Sequence, residues 1–431
     1  MKKNCVLLAF FMCLSLTSCS VKKNDSNKIK FVGFAINDEC NIYIDSFKKE
    51  NPDIEVEIID FAENEVSYDA INRMNASLVS ENCGDIIICN SYLKIENLIK
   101  NNLISDLYKI NYVKEHKDDY IPNIIKCCES DGKLYSIFPS FSIKAFVCKK
   151  CNISQDSWNL KKFNNIISEF ANEEKNVFGN RSTDCFEKIF NCILNYYFYN
   201  HTVEANYDNL LETLDVMKKC NDISKQNQIK SGNIEYLYSD DSQIIAEEEI
   251  YDFNRYHVLK KAVFQDDISL LGFPLEKNTL SISPEFEISV LNKSKNNKNV
   301  EKFIEFILSD EMQKACVYSE SSFPMTINNF NLSCERAMSE IIYDQNGNNF
   351  GKKSDKYYID DKCIDLGIPS ANDLSGFKDQ IFLVDQIYRI DTNIKNIISD
   401  SLLPYWNGDS NATDTLDKII SKLKIYNSEL K

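Results

Sequence analysis

Between Lys28 and Cys89 the chain switches repeatedly between two hydrophobic periods, and that switching limits its possible folds more than any other feature. Ile29 to Phe34 reads as a strand. Cys40, Tyr43, Ile44 and Phe47 then recur at the three-and-four spacing of a helix until Asn51-Pro52 stops it. Ile54, Val56 and Ile58 alternate with Glu55 and Glu57 as a second strand does, and Tyr68, Ile71, Met74 and Leu78 form another helical stripe. Asp85-Ile86-Ile87-Ile88-Cys89 is short and almost wholly apolar, the pattern of a parallel strand covered on both faces. The order is β-α-β-α-β, so the fold class expected is α/β.

Crossovers between parallel strands are right-handed, and ligands of open α/β sheets sit beyond the carboxyl ends of the strands. That rule selects the loops Ala35 to Glu39, Phe61 to Asn64 and Asn90 to Tyr92. Asn37, Asp38, Phe61, Asn64, Asn90, Ser91 and Tyr92 are therefore expected along one rim. Taken singly, Asp38 serves equally well as a helix cap and the others as solvated loop residues.

Lys2 and Lys3, an apolar run from Val6 to Leu16, and small residues ahead of Cys19 have the layout of a secretory signal. The run is too short for a helix crossing a hydrocarbon core of about 30 Å, which takes about 20 residues. Leu16-Thr17-Ser18-Cys19 resembles the bacterial lipoprotein box, in which the cysteine is lipidated on sulfur and becomes the mature N-terminus. The resemblance implies a signal peptide over 1–18 and lipidation of Cys19. Two acyl chains, at about 0.8 kcal/mol per buried methylene, hold a protein stably to a membrane where one would not. The polar residues of 19–27 read as a tether.

With 431 residues, 43% hydrophobic and 26% charged, the chain can bury a sizeable core, and about 150 residues per domain suggests two or three domains. The formal charge is −16, and loss of Lys2 and Lys3 with the signal makes it −18. An acidic surface repels phosphate backbones, which argues against nucleic acid as a partner. Of sixteen cysteines, Cys5, Cys13 and Cys19 belong to the N-terminal segment, and the other thirteen follow no repeating spacing. They read as small buried apolar residues. Cys127-Cys128 and the Cys148/Cys151 pair lack the second matched pair that a structural zinc site needs.

The chemistry of common enzymes is also missing. His116, His201 and His257 lie far apart, and HExxH, GxSxG and a phosphate-binding P-loop are absent. Asp344-Gln345-Asn346-Gly347 hints at a calcium loop, but that register puts Ile342 where a carboxylate is required, so it reads as a turn. No metal, cofactor or catalytic residue is expected. A glycosidase, which needs only paired carboxylates, is a minor reading.

Several passages, in order, resemble the extracellular solute-binding proteins of ABC importers, the large family that contains sugar and oligosaccharide binders. Phe47 to Val56 is similar to that family's opening helix-to-strand passage, and Gly84-Asp85-Ile86 followed by Leu103 to Leu107 to its third strand and next helix. Asp131 to Ile137, with Phe138 to Phe141 and a strand to Lys150, resembles the stretch where the chain leaves one lobe for the other. Trp158 to Phe163 sits where the family has a Trp at a helix start. Ile288 to Leu291 and Phe303 to Ser309 match its return strand and helix, and Tyr405 to Gly408 its closing element. The family's tryptophan-bearing stretch and the glycines before its return strand have no counterpart; Tyr251, Phe253 and Ser283-Pro284-Glu285 stand there instead.

The resemblance implies a two-lobed periplasmic-binding-protein-like fold (type II), with lobe 1 from 28–138 plus 276–323 and lobe 2 from 139–275 plus 324–431. Crossovers are expected near Phe138 to Phe141, Phe273 to Glu276 and Phe323-Pro324. A monomer held to the outer face of the cell membrane would capture a sugar or oligosaccharide between the lobes and deliver it to permease subunits. Phe138, Phe141 and Phe323 join the rim residues as candidate ligand contacts, although core packing accounts for such rings as readily. The alternative is a surface lipoprotein of the same fold serving adhesion or sensing. Two further stretches carry structural expectations. Leu374, Phe377, Ile381, Val384 and Tyr388 read as one long helix, and Asp240 to Glu249 most simply as a solvated acidic face, although its carboxylates could also bind sugar hydroxyls.

Overall fold

Strands β1 (Lys28–Gly33), β2 (Glu55–Asp60) and β3 (Ile86–Ile88) open the fold, and β1 pairs in parallel with both of the others. The structure, a computed structural model, describes residues 27–429 except 35, 37, 63–67, 81–82, 91–92, 94, 154–157, 201, 227–235, 240, 295–296, 345–347, 360 and 390. Cys19 and the rest of the lipoprotein-box resemblance lie outside the described residues. The helices Asp38–Glu50 and Tyr68–Leu78 connect the three strands as expected. Alternation along β1 sends Phe31 to one face, where it meets Phe303 at 4.7 Å between ring centroids, and Val32 to the other, beside Met74 and Leu78. Each such burial stabilises by about 1.5–3 kcal/mol. Gly84 precedes β3 at φ 142°, and a Cβ there would lie 2.6 Å from Val32 Cγ1, so only glycine lets β3 approach β1.

A small hairpin, β4 (Glu129–Ser130) and β5 (Lys133–Leu134), leads to β6 (Ser140–Lys149), the centre of a second sheet. Antiparallel to it run β7 (Ala246–Ile250), β8 (Ile268–Leu271) and β10 (Asn278–Glu285), with β9 (Phe273–Pro274) on β10. β11 (Ile288–Val290) completes the first sheet in the order β11-β3-β1-β2. β12 (Phe323–Pro324) returns to β6. Two exposed hairpins follow, β13 (Ile341–Tyr343) with β14 (Asn349–Lys352) and β15 (Lys356–Ile359) with β16 (Lys362–Asp365), before β17 (Val384–Ile387) pairs in parallel with β10. Helices Leu160–Asn172, Ser182–Tyr199, Tyr207–Gln226, Thr392–Asn407 and Ala412–Glu429 build a separate core around Phe163, Phe186, Phe190 and Trp406. Trp158 anchors the first of them by donating from Nε1 to Gly272 O at 2.8 Å, and Asn159 Oδ1 caps it by accepting from Lys162 N.

Three expectations change. The Leu374 to Tyr388 stripe is a helix only over Ala371–Ile381; Phe382 and Leu383 turn outward and Val384–Ile387 becomes β17. Val384 and Tyr388, four residues apart, fit a helical stripe as well as one face of a strand, so spacing alone misreads them. The acidic run is not one solvated face: Ala246–Ile250 is the strand β7 on β6, where Glu247 meets Arg181 and Lys188 and Glu248 meets Arg255 at half-buried positions, while Glu249, paired with Lys144, stays exposed. Phe273 to Glu276 lies within a hairpin of the second sheet, closed by the bond from Gly272 N to Asn278 Oδ1. The chain instead passes back to the first sheet at Phe286-Glu287, between β10 and β11.

The twelve cysteines whose side chains the structure describes are free thiols, and of these Cys151 and Cys363 are exposed. Burial pushes the thiols of Cys185 and Cys220 up to about 12, so they pack and do not act as nucleophiles at neutral pH. No described helix is long and apolar enough to cross a membrane.

Candidate functional site

The loops that follow β1, β2 and β3 are tied together by hydrogen bonds to backbone. The Asp60 carboxylate accepts from Ile36 N at 2.9 Å and from Ala62 N at 2.8 Å, joining the first two loops. Asn90 Nδ2 donates to Phe34 O at 2.7 Å, joining the third to the first. Phe61 is half-buried, its ring 6.4 Å from Phe34 in an edge contact. The structure therefore brings Phe61 and Asn90 together at one rim. Asn37, Asn64, Ser91 and Tyr92 lie outside the described residues, and Asp38 begins its helix with a side chain that is likewise outside them.

Phe138, Phe141 and Phe323 are not at a cleft wall. They are 0%, 0% and 1% exposed. Phe141 packs against Phe138 at 6.4 Å and Phe323 at 5.8 Å, and Phe323 reaches Phe253, Phe330 and Phe377. The reason is the two-residue period of β6: Phe141, Ile143 and Ala145 point into this aromatic core, so Ser140, Ser142 and Lys144 point the other way.

That opposite face is polar across several strands. By register, Lys144 lies beside Ser281 of β10 and Glu249 of β7, Ser142 beside Ser283, and Ser140 beside Glu285. Gln386 of β17 donates from Nε2 to Ser281 Oγ at 2.8 Å. The Ser142 hydroxyl donates to Glu249, whose other oxygen lies 3.2 Å from Lys144 Nζ. At one end the face is closed by Tyr43 of the first lobe, whose hydroxyl lies 3.5 Å from Glu285 Oε2 and 3.5 Å from Ser140 Oγ. Burial there pushes the Tyr43 phenol well above its usual range. At the other end Lys144 and Glu249 remain 33% and 47% exposed, so a solute can reach them. Beside them Tyr388 stacks on Phe273 at 5.6 Å. The signal for this face was in the sequence: Ser140, Ser142 and Lys144 alternate with Phe141, Ile143 and Ala145, and Ser281, Ser283 and Glu285 with Leu280 and Ile282.

The sequence model described as bacterial extracellular solute-binding protein matches residues 43–328. No curated protein sequence matches the chain. Among solved structures, the sugar-binding protein MalE from Xanthomonas citri aligns at 11% identity over 92% of this chain and 96% of its own, with a TM-score of 0.53. A chitin oligosaccharide binding protein aligns at 12% identity over 94% of this chain and 100% of its own, also at 0.53. A family 1 extracellular solute-binding protein from Bifidobacterium longum subsp. infantis aligns at 12% identity, over 92% and 99%, at 0.50. At such identity these likenesses show the two-lobed fold alone. The family rests on the sequence match over most of the chain: the protein belongs to the bacterial extracellular solute-binding proteins.

Proposed function

We propose that this protein is the solute-capturing subunit of an ABC importer, that its solute is a carbohydrate, and that it hands the solute to permease subunits as a monomer anchored at Cys19. The lobes we assign divide at Phe138–Ser140, Phe286–Glu287 and Ser322–Phe323, the places where the chain leaves one sheet or its helices for the other. The solute is held between the first-lobe rim, with Phe61 and Asn90, and the polar face of the second sheet, with Lys144, Gln386 and Glu249, the last positioned by the buried Ser142 hydroxyl. Asn37, Asp38, Asn64, Ser91 and Tyr92, which the sequence puts in the loops after the same strands, complete the proposed set of solute contacts.

The observation that carries this reading is the polar face itself. A sugar presents hydroxyls that need donors and acceptors, and C–H faces that pack on aromatic rings. Hydroxyl, amide, ammonium and carboxylate groups stand in adjacent rows there, next to Tyr388. The solved structures with TM-scores of 0.53 are named for sugar and chitin-oligosaccharide binding, which supports the same class.

A thermal-shift screen over mono- and oligosaccharides tests it. A solute at 100 times its dissociation constant stabilises by about 2.7 kcal/mol, a clear rise in melting temperature. A panel of sugars that all leave the melting temperature in place, while an amino acid or peptide raises it, would replace the carbohydrate assignment.

A further inference from the structure

The passage from β10 to β11 has only two residues, Phe286 and Glu287, between a strand of the second sheet and a strand of the first. Any turn of one lobe against the other along this passage must be absorbed by their backbone angles. Phe286 has φ 52°, in the left-handed region that a bulky residue rarely adopts. Surrounding structure holds it there: its ring stacks on Tyr43 at 5.0 Å and meets Phe303 at 6.0 Å. Such a residue persists only where its neighbours over-determine it, and these positions gather at moving parts of proteins.

Glu287 is fixed from three directions. Its carbonyl oxygen accepts from Cys89 N at 2.8 Å, at the end of β3. Its carboxylate accepts from Ser136 Oγ at 2.5 Å, next to the bridge where Ile137 and Ile288 exchange backbone hydrogen bonds. All of those partners belong to the first lobe. The third is the Arg389 guanidinium, which forms an ion pair with the same carboxylate. Arg389 is carried by the second lobe, just past Tyr388, whose backbone N–H donates to Ile282 O of β10 at 2.7 Å. Its charge also faces Glu96, Cys89 and Cys128 of the first lobe. A cation of one lobe is thus seated among groups of the other, and the Glu287 side chain is only 7% exposed, so solvent screens the pair little.

We propose that Phe286-Glu287 is the pivot about which the lobes turn and that Arg389 is the latch that sets its resting angle. The proposal rests on the two-lobed capture reading and adds to it the residue that fixes how far the empty site stands open. Arg389 acts through Glu287 and is a positioning residue.

Small-angle X-ray scattering of the protein without solute reads the lobe arrangement directly. Arg389→Gln and Glu287→Gln are expected to shift the radius of gyration and broaden the pair-distance distribution, with Arg389→Lys falling between them and the parent. Lys277→Gln breaks the exposed Lys277–Asp385 pair on the neighbouring β17 and should match the parent. If Arg389→Gln fails to fold, Glu287→Gln, which leaves Ser136 an acceptor, carries the test. Profiles of folded Arg389→Gln or Glu287→Gln that superimpose on the parent overturn the latch, as does an equal shift in Lys277→Gln. Because no solute is present, a shifted profile in a protein that binds no sugar counts against the carbohydrate reading alone. An unshifted profile in one that does bind sugar counts against the latch alone.

Discussion

Lys144 holds its ammonium 5.3 Å from the centre of the Tyr388 ring while Glu249 lies 3.2 Å from the same nitrogen. Tyr388 is therefore covered on one side by Phe273 and faced by the Lys144 ammonium on another. A cation over a ring contributes about 0.5–1 kcal/mol at an exposed site, little enough for a solute to displace. Tyr388→Leu should accordingly weaken binding of the sugar found by thermal shift about tenfold or more. Lys144→Met should change affinity by less. Isothermal titration checks both, and equal affinities for parent and Tyr388→Leu would remove Tyr388 from the site.

Phe141 gives the opposite expectation. Its ring is fully buried between Phe138 and Phe323, so Phe141→Ala should cost about 3–5 kcal/mol of stability, read from urea unfolding. Protein that remains folded should bind its solute with the parent's affinity. A loss of affinity without a loss of stability would return Phe141 to the cleft.

The sequence carried the first sheet well because each of its strands and helices has one dominant period. Ile29 to Phe34, Ile54 to Ile58 and Ile86 to Ile88 each became the strand expected. It misled where one spacing serves two geometries, as at Val384 and Tyr388, and where charge suggested solvent although cations waited in other segments, as at Glu247 and Glu248. Phe138, Phe141 and Phe323 read as cleft residues, although they are buried, for a related reason. Nearness to a crossover does not say which face of β6 a side chain takes, and Phe141 and Ser142 differ by one residue. Pairing with β10 and β7 decides that, and pairing is nonlocal.

Asp252 predicts a pH dependence of stability. It caps the helix Phe253–Val258 by accepting from Arg255 N at 2.6 Å. Burial, with Glu320 nearby, pushes its carboxyl up to about 6. The folded state therefore takes up the proton more readily than the unfolded one. The stability this contributes is fully present below the unfolded value of about 3.9 and is lost as pH rises through 6. Asp252→Asn keeps an acceptor for Arg255 N and removes the buried charge. It should be more stable than the parent at pH 8, by about 1–3 kcal/mol, and lose that advantage by pH 4. Urea unfolding at the two pH values checks it, and a constant difference between them would show that Asp252 titrates normally.

The lipidation we propose at Cys19 makes a prediction that depends on no structural detail of the lobes. Leu16-Thr17-Ser18-Cys19 follows an apolar run and two lysines. If the Cys19 sulfur carries the acyl chains, Cys19→Ala has nothing to acylate. The variant should either appear in the medium or stay in the membrane with its signal uncut, and intact-mass measurement separates these two results. Because the first lobe we assign begins at Lys28, nine residues beyond Cys19, a variant released into the medium should keep the parent's melting temperature and its response to solute. A Cys19→Ala protein still found acylated in the membrane fraction would place the lipid on another residue and end the assignment of Cys19.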